Sequence, residues 1–183
     1  MGRSIPEVSV KLERVPSPIG EALLVTNEQG ALVALDWADR RERLETLLAR
    51  YQGSAELEEH EEDPSAAAQA SAAFFAGELA AVDQVAVDPG GTPFQQEVWA
   101  ALRQIPVGQT TTYSELARQL GRPDAVRAVG AANGANPISV VVPCHRVIGA
   151  GGELRGYAGG LERKRWLITH EGAAVPATQE SLF

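Results

Sequence analysis

One Pro/Gly-rich stretch of this 183-residue chain limits what it can fold into. "VAVDPGGTP", Val85–Pro93, packs two prolines and two glycines into five residues, which no helix or strand interior accommodates. Before it, strand-like apolar runs lie alongside two helical stretches; after it, helical spacing dominates up to about residue 133. The chain therefore reads as two domains, residues 1–91 and 92–183, with roughly the last ten residues a tail.

In the first half, "VSVKLERV" alternates, and "EALLVTN" and "GALVALDW" are apolar runs with Asn27–Gly30 between them as a hairpin turn. Asp39 to Tyr51 is predicted helical, since Leu44, Leu47, Leu48 and Tyr51 share one face. "ELEEHEEDP" reads as a solvated connection, Ser65 to Leu79 as an alanine-rich helix with Phe74 and Phe75 as its bulk, and Val85 onward as a short strand. The expected fold is an α/β N-terminal domain with a small antiparallel sheet. No motif there carries chemistry, and His60, amid glutamates, reads as a solvated residue.

In the second half, Thr92-Pro93 opens a helix with Phe94, Val98, Ala101, Leu102 and Ile105 on its apolar face, ended by Pro106-Val107-Gly108. A helix from about Ser114 to Leu120 stops at Gly121, and Pro123 suits the first turn of another running to about Asn133. Two short helices joined by such a turn make a helix-turn-helix candidate in a mainly α domain. The second helix offers Ala125, Ala128, Gly130, Ala131, Ala132 and Gly134, with one long side chain, Arg127. Packing on another helix explains the alanines; packing on DNA explains the arginine too.

Charge agrees with this division. Residues 1–91 hold 7 basic and 17 acidic side chains, whereas residues 92–171 hold 9 and 6. Only the second half is a candidate phosphate surface, although the whole chain carries −8. No apolar run is long enough for a bilayer, and "MGRSIPEVSVKLERV" lacks the apolar core of a secretory signal. A lone cysteine excludes an internal disulfide and fits a reducing cytoplasm.

That cysteine, Cys144, lies in "ISVVVPCHRVIG", at the end of what reads as an apolar strand. In a strand His145 would point away from the thiol, so it would need a turn or a bridging water. Glu171 is the carboxylate available to orient a base, and His170 is the alternative base. One cysteine and three scattered histidines give no metal-ligand spacing, so neither metal nor cofactor is predicted. A papain-like pattern fits poorly as well, because there the histidine and its asparagine lie far downstream.

"PCHRV", preceded by "NPISVVV" and followed by "GYAGGLERKRWLITHEG", resembles the O6-alkylguanine-DNA alkyltransferases, the methylated-DNA–protein-cysteine methyltransferases. "TTTYSELARQLGRPDAVRAVGAANGANP" is similar to the helix-turn-helix of that family. The likeness is dense over residues 92–172 and only an outline over 8–90. It implies a ribonuclease-H-like N-terminal domain and repair of O6-alkylguanine, and less readily O4-alkylthymine, in a base flipped out through the minor groove of double-stranded DNA. The resemblance makes Cys144 the nucleophile, used once, with His145 its base through a water and Glu171 orienting that base. Asn136 would brace the turn, and Tyr113 would donate to the leaving guanine. The carbonyls of Cys144 and Val147 would accept from the exocyclic amine and the Ala158 amide would face O6. Tyr157, with Gly156, Gly159 and Gly160, would line the pocket. Arg127 would fill the gap in the duplex, and Tyr113, Ser114, Arg122, Ala128 and Ala150 would complete the DNA contacts of a monomer. Some relatives hold a zinc ion in the N-terminal domain; this half has no cysteine and only His60, so no zinc is expected. Where some relatives carry serine this chain has Ala158. Two rivals are a lesion-binding protein that transfers nothing, disfavoured by Cys144, and a helix-turn-helix regulator, which has no use for "GYAGG" or Glu171.

Overall fold

The computed structural model describes residues 8–53 and 55–175. Three strands arise where the runs predict them: β1 (Val8–Val15), β2 (Ala22–Thr26) and β3 (Leu32–Trp37). They pair antiparallel, with Leu12 opposite Val25 and Leu24 opposite Leu35. Helix α1 (Arg41–Gln52) follows a single 3-10 turn, Ala38–Arg40. β2 and β3 are buried along their whole length because both sheet faces are covered. Leu44 and Leu48 of α1 pack with Leu23, Val25 and Val33. Leu24, Leu32, Leu35 and Trp37 join a second cluster that takes in Phe74 and Phe75 of the segment that follows and continues through residues 98–167.

The acidic stretch departs from its reading as a connection. Its start, Ala55–Glu59, forms β4, which pairs in parallel with β1 and places Val10 opposite Leu57. The sheet is therefore mixed rather than antiparallel, in the order β3-β2-β1-β4. Leu57 packs on the α1 cluster, while Glu58 and Glu59 remain exposed, as befits an edge strand guarded by charge. Helix α2 (Ala66–Phe75) is capped by Ser65, whose hydroxyl accepts from the Ala68 amide at 3.1 Å. Instead of a short strand near Val87 there is one isolated parallel bridge to Leu32.

Helix α3 (Pro93–Arg103) starts with a capping box, in which Thr92 and Gln95 bond each other's backbone amides. A short strand β5 (Thr111–Thr112) leads into α4 (Tyr113–Gln119), capped by Thr112. Gly121, at φ +72°, ends that excursion. Pro123 does not open the next helix. It lies in a turn closed by the Ala125 amide on Arg122 O at 2.9 Å, and α5 runs Val126–Gly134. The Trp99 indole donates to Ala132 O at 2.8 Å and so locks α3 onto α5. β6 (Val147–Ile148) pairs in parallel with β5, and α6 (Leu161–His170) completes the fold. Among the described residues no helix is long and apolar enough to cross a membrane.

Candidate active site

The segment before the thiol is not a strand. Ile138 makes one bridge with Leu35, through Leu35 N to Pro137 O and Ser139 N to Leu35 O, both at 3.0 Å. The chain then turns, and Val140 takes φ +72°, a left-handed conformation that costs a β-branched residue about 1–3 kcal/mol. Asn136, itself 1% exposed, holds this turn together. Its amide nitrogen donates to Val142 O at 2.8 Å and Ile138 O at 3.3 Å, and its oxygen accepts from Ile138 N at 2.9 Å. These bonds claim groups that a strand ladder would use, and Pro143 has no donor to offer one. Cys144 consequently opens a 3-10 turn, Cys144–Arg146, with its amide on Val142 O at 2.8 Å.

Behind the thiol lies a buried charged cluster. His145 Nε2 is 3.0 Å from Glu171 Oε1, an approach bent away from the ring N–H axis. Arg146 grips the same carboxylate through Nε and Nη2 at 2.9 and 2.8 Å, and its Nη1 donates to Ile105 O at 2.6 Å. Burial alone would raise the Glu171 pKa; bonds to His145 and Arg146 outweigh it and hold it at about 2. Burial lowers the His145 pKa against the pull of Glu171, so the imidazole stays neutral. Its Nδ1 is buried without a partner among the described residues.

Cys144 is 6% exposed, and burial pushes its pKa up, while the Asn136 amide and the Lys164 charge pull it back. Lys164 is fully buried and donates to Val147 O and Arg155 O, both at 2.7 Å. Burial brings its pKa down to about 8. Val147 O, expected to be free for a ligand, is thus already engaged at one lone pair. Tyr113, the first residue of α4, directs its hydroxyl to Arg155 O at a long 3.5 Å. Burial and the neighbouring thiol raise its pKa, and the same two causes raise that of buried Tyr157 well above the ordinary value. Ala158 is half-buried and Gly159 buried beside them.

The other expected residues lie on the surface. Arg127, Ala128, Ala131 and Gly134 form one exposed face of α5, and Ser114 and Ala150 are also exposed. Arg122 pairs with Glu97 at 3.0 Å and lies over the Phe94 ring at 5.1 Å. His170 is engaged elsewhere, 2.7 Å from Phe74 O and stacked on Trp166, and His60 sits 3.4 Å from Asp63 O. Arg146, Lys164 and Arg43 are site residues that the sequence reading missed. Arg43 pairs with Asp36 at 2.8 Å and donates to Gly134 O and Asn136 O at 2.8 and 3.1 Å. Lys164 was findable: with Leu167, Ile168 and Glu171 it occupies i, i+3, i+4 and i+7 of α6, a charge on a buried stripe.

A family model described as "6-O-methylguanine DNA methyltransferase, DNA binding domain" matches residues 93–173. The methylated-DNA–protein-cysteine methyltransferase of Salmonella typhimurium is 52% identical over 163 residues, covering 87% of this chain and 94% of that protein. The chain belongs to the methylated-DNA–protein-cysteine methyltransferase family. Its fold is shared with the solved O6-methylguanine methyltransferase of Mycobacterium tuberculosis, at TM-score 0.73 and 39% identity over 95% of this chain and 99% of that one. A structure of the M. tuberculosis protein in complex with DNA matches at TM-score 0.74 and 40% identity, covering 92% and 97%.

Proposed function

We propose that this protein repairs DNA by taking the alkyl group from O6 of guanine, and less readily from O4 of thymine, onto Cys144. One observation carries the reading: a single buried thiol on a turn braced by Asn136, next to a neutral His145 that meets an ionised Glu171. A thiol whose pKa is raised needs a base, and a neutral imidazole can serve as one. His145 Nδ1 takes the thiol proton through a water, with Glu171 stabilising the imidazolium and Arg146 fixing Glu171. The Sγ–C bond forms as the C–O6 bond breaks, and the electron pair returns to the guanine ring. Tyr113, kept protonated by burial, donates a proton to the ring and is reprotonated from solvent. The product is a thioether, which water does not hydrolyse at neutral pH. With no second cysteine to relay the group, each molecule acts once.

The pocket is lined by Tyr157, Ala158 and Gly159. The Ala158 amide faces O6, while Cys144 O and the remaining lone pair of Val147 O accept from the exocyclic amine. Helices α4 and α5 act as the helix-turn-helix on the minor groove of double-stranded DNA. Ser114, Ala128 and Ala150 approach the backbone, Arg122 contacts it after leaving Glu97, and Arg127 fills the gap left by the flipped base. We take residues 1–91 as a ribonuclease-H-like domain, on the strand order 3-2-1-4, and 92–183 as the transfer domain of a cytoplasmic monomer. The test is to incubate the protein with duplex DNA containing O6-methylguanine and to measure intact mass and the modified peptide. One methyl per chain, on the Cys144 peptide, is expected; an unchanged mass with the lesion still in the DNA would falsify the reading.

A further inference from the structure

Trp37 ends β3 in the N-terminal half, yet it is wholly buried against the pocket segment of the other half. Its ring meets Tyr157 edge to face at a centroid distance of 6.0 Å. A Cβ added at Gly159 would come within 2.8 Å of Trp37 Cζ3 and 2.9 Å of Tyr157 Cε1, so glycine is required there by space. Arg163 holds the indole as well. Its guanidinium lies 5.0 Å over the ring, and it bonds Asp39 at 2.8 and 3.1 Å, Ile19 O at 2.8 Å and Gly159 O at 3.0 Å. The Trp37 Nε1 is buried with no partner among the described residues. No hydrogen bond accounts for a tryptophan here, whereas its size does.

The two preceding residues of β3 hold the turn that carries the thiol. Leu35 bonds the chain on either side of Ile138, and Asp36 fixes Arg43, which donates to Asn136 O. Three consecutive residues of one strand therefore carry both the turn behind Cys144 and the wall beside Tyr157. We propose that Trp37 is a positioning residue that sets the distance between the thiol and the Tyr157–Gly159 wall, and with it the size of adduct the pocket accepts. This rests on the alkyl-transfer reading above.

The test compares wild type with Trp37→Phe, Trp37→Leu, Gly159→Ala and the double variant Trp37→Phe/Gly159→Ala. Single-turnover transfer is measured on duplexes bearing O6-methylguanine or O6-benzylguanine, alongside affinity for unmodified duplex. Trp37→Leu should slow methyl transfer roughly ten- to a hundredfold, as expected for an ångström-scale misplacement. Benzyl transfer should fall less, so the benzyl-to-methyl ratio rises, and Trp37→Phe should recover most of the methyl rate. Affinity for duplex should stay within about twofold, since Trp37 is wholly buried and presents nothing to a duplex. Gly159→Ala should be slow, and adding Trp37→Phe, which removes the six-membered ring edge, should restore part of its rate. That cycle decides the matter if Trp37→Leu does not fold. Equal losses on both adducts, or Phe and Ala effects that simply multiply, overturn the proposal. A wild type that transfers while every variant matches it overturns this inference alone; a wild type that transfers nothing overturns the function reading as well.

Discussion

Glu171→Gln isolates the charge behind the active site while keeping its shape. Glu171 is 5% exposed, its carboxylate bonded twice by Arg146 and 3.0 Å from His145. A carboxyl held at about 2 instead of its ordinary 4.5 is worth about 3 kcal/mol to the folded state at neutral pH. Glutamine forfeits that and leaves Arg146 as a buried cation without a counter-charge, so the expected loss is about 3–5 kcal/mol. For a chain of this size the melting temperature should fall by roughly 6–20 °C at pH 7. The sign with pH follows from the depressed pKa: this stabilisation is complete above 4.5 and is lost as pH falls toward 2. The gap between wild type and variant, followed by calorimetry or by urea unfolding, should therefore narrow from pH 4.5 downward. Alkylation of Cys144 should slow as well, because the imidazolium loses its partner. A variant within about 0.5 kcal/mol of wild type at pH 7, or a gap that does not narrow in acid, would refute the electrostatic account.

Asn136→Ala should cost about 2–4 kcal/mol in unfolding free energy, from backbone groups left unpaired around a strained turn, and should abolish transfer; chemical denaturation and adduct mass measure both. Lys164→Met should slow thiol alkylation at pH 7 roughly tenfold by removing the cation that offsets burial of Cys144. In the wild type the rate should lose this support as pH rises through about 8, where Lys164 deprotonates; a pH profile of alkylation for both proteins would show it, and identical profiles would count against it. Arg127→Ala should slow repair in duplex DNA far more than reaction with free O6-benzylguanine, measured side by side, with equal losses contradicting the base-gap role.

Elements with a strong apolar period were legible: β1 to β3, α1, α3 and the Asn27–Gly30 turn lie where the pattern puts them. β4 was not, because in "AELEE" a single leucine carries the inward face and charge disguises the rest. The apolar run before Cys144 misled for the opposite reason. "ISVVV" is buried like a strand, but three side-chain bonds from Asn136 fold it into a turn, and periodicity cannot register a side chain competing for the backbone. Cys144, His145 and Glu171 were nameable from the motif, and the structure brings the last two into contact. Arg146 was hidden by its own abundance, since an arginine beside a histidine has no pattern until its carboxylate is placed. Trp37 and Arg43 lie more than 90 residues from the thiol, a separation that only tertiary packing closes.

The cluster joining β2 and β3 to residues 98–167 also bears on how the chain comes apart. Leu35 and Trp37 share that cluster with Ile138 and Tyr157, so each half covers apolar surface of the other. Severing the chain at Gly91 would bare both surfaces to water at once. The two halves should melt in one transition, and neither fragment should hold the site's shape until the other is added back.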